Sequence, residues 1–335
     1  MKKLFILFTF FTCFIIENAR TQDAKQLHET AKTFMRQGDF ANAALVLNRA
    51  LQQEPNNIEI LKDIALNYFL QKDYAKALET VKPLTDRDDA DDQCYQITGS
   101  VYKALGQEKD CEKLYKKGIK KFPASGALYN EYGELLWATH DVNAIKQWEK
   151  GIEMDASFSG NYYNACKYYY LNGDNIWSII YGETFINIEV LTSRTPEIKN
   201  ILLDSYKKIF ASTDIFINTK SRNNFEQAYL QTLYKQNNIA TSGINPETLT
   251  MIRTRFILDW YNSFATKFPF KLFEYHLQLL REGMFDAYNQ WIFGTVQNLV
   301  AYQNWTATHA IEYDTFSRFQ KGRVFKIPVQ QYYHK

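Results

Sequence analysis

The stretch RQGDFANAALVLNRALQQEPNN, Arg36 to Asn57, decides the fold. Gly38 to Phe40 make a turn, and Ala43, Ala44, Leu47, Ala50 and Leu51 then recur at the three- and four-residue spacing of one helix face. Pro55 stops that helix. Upstream, Leu27, Thr30, Ala31 and Phe34 share a face of a preceding helix. Two helices joined by so short a turn approach closely only where their side chains are small, which assigns contacts to Ala31 against Ala43 and to Ala50.

The same turn returns as Lys72-Asp73-Tyr74, Gly106-Gln107-Glu108 and Gly173-Asp174-Asn175; the first two steps are 34 residues each and the last, of 67, spans two units. A fixed period means stacked units, here 24–57, 58–91, 92–125, 126–158 and a weaker 159–193. Leu61, Ala65, Tyr68, Ala77 and Leu78 carry the pattern in the second unit and Tyr95, Gly99, Tyr102, Gly106 and Pro123 in the third. The fourth has Tyr129, Gly133, Leu136, Ala144, Trp148 and Gly151, with His140 in place of the turn Gly, and the fifth Tyr162, Ala165, Tyr169 and Gly173. The array resembles the tetratricopeptide repeat, a helix-turn-helix unit of 34 residues. That resemblance implies an all-α fold, an α-α superhelix over residues 23–193, followed by an aromatic-rich helical region over 194–335.

The resemblance also implies a site. In such proteins defined positions of each first helix face a concave groove, and these fall here on His28, Lys32, Lys62, Gln96, Asn130, Glu134, Trp137, Tyr163, Lys167 and Tyr170. Such a mixture of basic, amide and aromatic groups suits an acidic or aromatic-bearing peptide. The family's clamp for a peptide C-terminus needs Lys and Asn at the fifth and ninth positions; Lys62 is followed by Leu66 at the ninth, which argues against tail capture of that kind.

Met1 to Ile16, MKKLFILFTFFTCFII, places two lysines before a short apolar run, the pattern of a secretory leader. Cleavage is expected near Thr21, giving a leader over 1–22 and a periplasmic or secreted protein. Phe11 and Thr12 make Cys13 a poor lipidation site. No later segment approaches 18 uncharged apolar residues, so no transmembrane span is expected in the mature chain. Cys94, Cys111 and Cys166 are an odd, widely spaced set without metal-ligand spacing. Cys111 and Cys166 fall at small contact positions of the repeat, where a thiol packs as a small hydrophobe.

Beyond Pro196 the pattern changes. Helices are predicted over 197–211 and 225–236, with a third starting at Pro246; a degenerate repeat over 269–302 is suggested, with His276 and Tyr288 where small residues belong. The twelve aromatic residues from Phe256 to Phe293 read as a core against the preceding repeats. The tail, RVFKIPVQQYY, reads as a strand or an extended strap. Residues 23–193 carry a net charge of −6 and 194–335 of +6, so the two parts attract each other. A balance near zero, with KKGIKK at Lys116 to Lys121 as the densest basic run, argues against nucleic acid as partner.

The chain lacks the motifs whose spacing enforces catalytic geometry, and its five histidines are scattered. Asp88 to Asp92, DDADD, reads as an acidic helix cap, and His309 with Glu312 as an isolated pair on one helix face. The reading that follows is a non-enzymatic scaffold without cofactor or metal, binding a protein or peptide partner, with 194–335 as its cap. The alternative is a glycan-binding or hydrolytic module in 214–335, for which Trp260, Trp291 and Trp305 would be the stacking platforms.

Overall fold

The computed structural model describes residues 23–211, 214–217 and 222–334. The leader, its cleavage site and Cys13 lie outside the described residues. The chain divides at Ala90 into two compact units. Among the described residues every regular element is helical.

The first unit holds two hairpins, α1 (Ala24–Arg36) with α2 (Phe40–Gln53) and α3 (Ile58–Leu70) with α4 (Tyr74–Val81). Asp23, Asp39, Asn57 and Asp73 each stand before a helix and accept a backbone N–H of its first turn. The turns need left-handed backbone, supplied by Gly38 at φ 76° and, against its steric preference, by Lys72 at φ 63°. Ala31, Ala43, Leu47, Ala50, Ala65 and Ala77 are completely buried. Pro83 ends the fourth helix early, and the chain continues as a 3-10 turn over Lys82–Asp86.

The second unit opens with three hairpins: α5 (Asp92–Ala104) with α6 (Glu108–Lys121), α7 (Gly126–Ala138) with α8 (Ala144–Met154), and α9 (Ser159–Leu171) with α10 (Asn175–Ile188). Asp91, from the acidic run, caps the first of these helices through the Cys94 N–H. His140 takes the turn glycine's left-handed conformation, φ 61°. The small positions are dictated by aromatic neighbours: a Cβ on Gly99 would lie 2.2 Å from the Tyr115 hydroxyl, and one on Gly133 2.3 Å from the Trp148 indole nitrogen. Cys111 and Cys166 are fully buried at equivalent contacts, and burial pushes their thiols up to about 11 and about 12. Cys94, Cys111 and Cys166 form no disulfide.

After α10 come α11 (Thr195–Ala211), the short α12 (Asp214–Ile217), α13 (Asn224–Tyr234), the short α14 (Asn237–Ala240), α15 (Pro246–Ser263) and α16 (Lys271–Arg281). Gly283, at φ 69°, turns the chain into α17 (Phe285–Asn289), which runs through a π-helical turn over Gln290–Gly294 into α18 (Thr295–Gln297). A final hairpin, α19 (Leu299–Thr308) and α20 (Ala310–Lys321), follows. The helix breaks at His309, which stands at the N-cap of α20 three residues before Glu312 and stacks its ring on Trp305 at 4.3 Å.

Acidic groups of the repeats meet cationic groups of the later helices, as the charge division predicts. Buried Arg253 pairs with buried Glu183, which also binds His276 at 2.9 Å and accepts from the Tyr288 hydroxyl at 2.9 Å. Burial opposes ionisation of Glu183, but the Arg253 and His276 charges outweigh it and hold the carboxyl well below the usual range. His276 and Tyr288, set apart in the sequence by their size, thus both reach one buried carboxylate. The tail is an extended strap with a 3-10 turn at Val329–Gln331. Its Tyr332 hydroxyl donates to buried Glu149 at 2.5 Å, its His334 contacts Tyr169 at 2.8 Å, and its Tyr333 ring stacks on Phe225 at 4.6 Å.

Candidate partner-binding face

Within the second unit the first helices of successive hairpins lie side by side, joined by polar side chains. Lys103 on α5 meets Glu131 on α7 at 2.5 Å. Asn164 on α9 donates to Asn130 at 2.9 Å and to Glu134 at 3.1 Å on α7. Lys167 pairs with Glu197 on α11 at 2.9 Å, the Tyr163 hydroxyl donates to the same carboxylate, and Tyr170 donates to Asp204 at 2.7 Å. Three of these contacts, Asn130 to Asn164, Tyr163 to Glu197 and Tyr170 to Asp204, join residues 34 apart. The spacing of the repeat thus continues into α11, which packs as a further first helix.

A cleft of about 550 Å³ opens along α9 and α11, lined by polar Lys167, Tyr170, Asn200, Asp204 and Lys207 and by apolar Leu171, Ile201 and Val296. Burial works against the charged form of Glu197, yet hydrogen bonds from Tyr163 and Lys167 prevail and its carboxyl titrates below the usual range. The hydrogen bond from Lys208, then that from Tyr170, lowers Asp204 likewise. Both carboxylates are therefore ionised at neutral pH. The cleft presents fixed charges of both signs beside exposed Lys207 and Leu171.

The residues singled out from the sequence separate into two groups. Lys32, Gln96, Glu134, Trp137, Tyr163, Lys167 and Tyr170 keep surface. Trp137 is 41% exposed, with its inner edge against Trp148 and Tyr168. His28, Lys62 and Asn130 are buried. His28 contacts Asp63 at 2.6 Å and Lys62 pairs with Glu59 at 2.7 Å, so in the first unit these two serve neighbouring helices and their own. Asn200, Asp204 and Lys207 escaped sequence reasoning because the α11 helix lacks the small-residue signature; the 34-residue step from Tyr170 to Asp204 was the available signal. Trp260 and Trp291 are buried, and Trp305 is partly covered by His309.

Residues 34–99 match the family model of the tetratricopeptide repeat. No curated protein sequence matches. Among solved structures, a thermophilic TPR protein of Thermus thermophilus is 14% identical over 56% of this chain and 98% of its own, with a TM-score of 0.43. A tetratricopeptide repeat protein from Parabacteroides merdae is 17% identical over 76% and 98%, with a TM-score of 0.42. PilW, described as a widely conserved type IV pilus biogenesis factor, is 15% identical over 61% and 94%, with a TM-score of 0.45. The matched model places a tetratricopeptide repeat within residues 34–99, and the hairpins and the recurring 34-residue contacts continue the same helix-turn-helix pattern into α11.

Proposed function

We propose that this protein is an exported, non-enzymatic scaffold that holds a segment of a protein partner on the first-helix face of its repeats, with the α9–α11 cleft as the main seat. The observation that carries the reading is the cleft itself: about 550 Å³, open, and lined by both ionised pairs and aliphatic side chains. A segment carrying both acidic and apolar residues fits this mixed lining. Its acidic groups reach Lys207 and Lys167, and its apolar groups cover Leu171 and Val296. Trp137 offers a second anchor, because a half-exposed aromatic typically contributes about 2 kcal/mol or more when truncated.

Export rests on the leader pattern of residues 1–22 and places the partner in the envelope or outside the cell. The glycan-binding alternative draws no support from the aromatic helices, since Trp260 and Trp291 are core residues.

The test is capture from envelope extract on immobilised wild type, Lys207→Glu, Trp137→Ala and a distant surface control, with partners identified by mass spectrometry. A partner retained by wild type and the control should be lost from Lys207→Glu and weakened about 30-fold by Trp137→Ala, by the rule of tenfold per 1.4 kcal/mol. Equal capture by all four proteins would remove this face as the site.

A further inference from the structure

The extended strap after α20 is fastened near its tip to a buried carboxylate. Glu149 on α8 is 7% exposed and accepts three phenol hydroxyls, from Tyr169 at 2.7 Å, from Tyr181 at 2.7 Å and, on the strap, from Tyr332 at 2.5 Å. Among the described residues no lysine or arginine stands within ion-pair distance of it. The ring of His334 on the strap does reach it, with Nδ1 3.4 Å from Oε1. A buried anion needs a partner charge, so the protonation of His334 governs this contact.

The hydrogen bonds fix where the protons are. A phenol has one proton, and Tyr169 donates its own to Glu149, so the Tyr169 oxygen accepts from the His334 Nε2 2.8 Å away. The Nε2 therefore carries a hydrogen. The Nδ1 also faces an acceptor, the Glu149 carboxylate. A neutral imidazole with its proton on Nε2 would turn a lone pair toward that anion, whereas the imidazolium has an N–H for each acceptor.

The surrounding groups leave this pair to titrate. Burial, then the Glu149 charge, raises the Tyr169, Tyr181 and Tyr332 phenols far above neutrality, so all three stay protonated. Tyr162 donates to the Ala156 carbonyl at 3.2 Å. Glu153, one turn along α8, pairs with Lys150 at 2.8 Å. Arg222 lies 3.5 Å from Asp174 and 3.9 Å from Glu226, and the Trp177 indole, against whose ring His334 packs edge-on at 4.7 Å, donates to Glu226. Burial pushes the Glu149 carboxyl up, against the pull of His334 and the hydroxyls. Whichever of the two holds it, the closed strap keeps a proton between Glu149 and His334. With the strap released both groups meet water, where a carboxylate is ionised at neutral pH and imidazole is the side chain that gives up its proton between about pH 5 and 8.

We infer that the strap is a proton-operated latch, closed in mild acid and loosened above neutrality, with His334 beside Glu149 as its sensor. The closed strap holds one proton more than the open strap, so each pH unit above neutrality lowers the closing constant about tenfold. In acid strong enough to protonate the released strap as well, the dependence flattens. The raised Glu149 carboxyl gives the same sign, since a carboxyl that binds its proton more tightly when covered favours closure as the pH falls. Release uncovers the Phe225 ring on which Tyr333 stacks and the Trp177 ring against which His334 packs.

The test is limited chymotrypsin digestion of the full chain from pH 6 to pH 8.5, with cleavage after Tyr332 and Tyr333 followed by mass. Rates are divided by those for a free peptide of residues 322–335 at the same pH, which removes the protease's own pH response. The ratio reports the open fraction when opening and closing are fast. In wild type it should rise about tenfold from pH 7 to pH 8. His334→Gln, which cannot carry the charge, should be cut faster already at pH 6 and should lose the rise between pH 7 and pH 8. Tyr332→Phe removes a hydrogen bond but not the sensor, so its ratio should lie above that of wild type and run parallel to it. A wild-type ratio that stays constant from pH 6 to pH 8.5 overturns the latch, as does a wild-type rise retained in His334→Gln or a rise abolished in Tyr332→Phe.

Discussion

Lys199 offers a direct probe of how the later helices are held to the repeats. It is 6% exposed, its Nζ donates to the Trp291 carbonyl at 2.6 Å, and it stands 3.9 Å from the centre of the Trp291 ring. Trp291 lies in the π-helical turn, where its carbonyl also accepts from Thr295 at 3.2 Å. Among the described residues no carboxylate pairs with Lys199, and burial lowers its amine to about 7. The unfolded chain would titrate near 10.4, so roughly three units at about 1.4 kcal/mol each set a ceiling on the order of 4 kcal/mol on the penalty for folding with the amine charged. The hydrogen bond to the carbonyl returns about 1.5–3 kcal/mol. The net cost at low pH is therefore about 1–2 kcal/mol. The sign follows from proton counts: between about 7 and about 10.4 the unfolded chain holds the proton and the folded chain does not, so wild-type stability rises with pH across that window. Below about 7 both states hold it and the penalty is complete. Lys199→Met keeps the aliphatic packing and removes the charge. At about 2–4 °C per kcal/mol for a domain of this size, it should melt about 2–8 °C above wild type at pH 6 and level with or below it at pH 9. Differential scanning calorimetry at both pH values checks this. A melting difference that stays constant from pH 6 to pH 9 would refute the account of Lys199 as a desolvated, chargeable amine.

Other consequences are open to simple tests. Ala77→Leu should overpack the completely buried contact in the first unit and cost about 1–3 kcal/mol, read as a lower melting temperature. His140→Gly should stabilise by about 0.5–1 kcal/mol, because glycine adopts φ 61° without steric penalty; equal or lower stability would mean that the imidazole contributes to the turn. Deleting residues 328–335 strips Glu149 of Tyr332 and His334 and uncovers Phe225, an expected loss of about 2–4 kcal/mol by chemical denaturation. N-terminal sequencing of the mature protein should start near residues 19–22, and recovery of an intact Met1 or of an acylated Cys13 would refute the export proposal.

The hairpins were legible because a backbone requirement and a packing requirement repeat together. Left-handed turns recur even where Lys72 and His140 replace glycine, since the Schellman-like chain reversal constrains the backbone whatever side chain occupies it. Small residues recur because Tyr115 and Trp148 fill the space a Cβ would take at Gly99 and Gly133. The α11 helix lacked that signature: Asn200 stands one repeat beyond Cys166, and the helix is fixed by pairs such as Tyr170 with Asp204 and by Ile198, Leu202 and Ile209 in the core. Nor does periodicity announce the π-helical turn, whose extra residue per turn shifts the register of everything after Gln290.

For the candidate face, periodicity yields the direction a side chain leaves its helix but not what meets it there. His28, Lys62 and Asn130 leave in the groove-ward direction inferred from the repeat, yet Asp63, Glu59 and the Asn164–Glu134 pair engage their polar atoms. Tyr163, Lys167 and Tyr170 show the converse, since their tips are engaged by α11 while their flanks keep surface along a cleft. A polar residue in such a groove is spent first on the next repeat. The surface left when that pairing is complete is what the proposed seat offers, and on the α9–α11 face that is Lys207, Asn200, Leu171 and the outer edges of the ion-paired ladder, a set defined by neighbours about 34 residues apart rather than by any local motif.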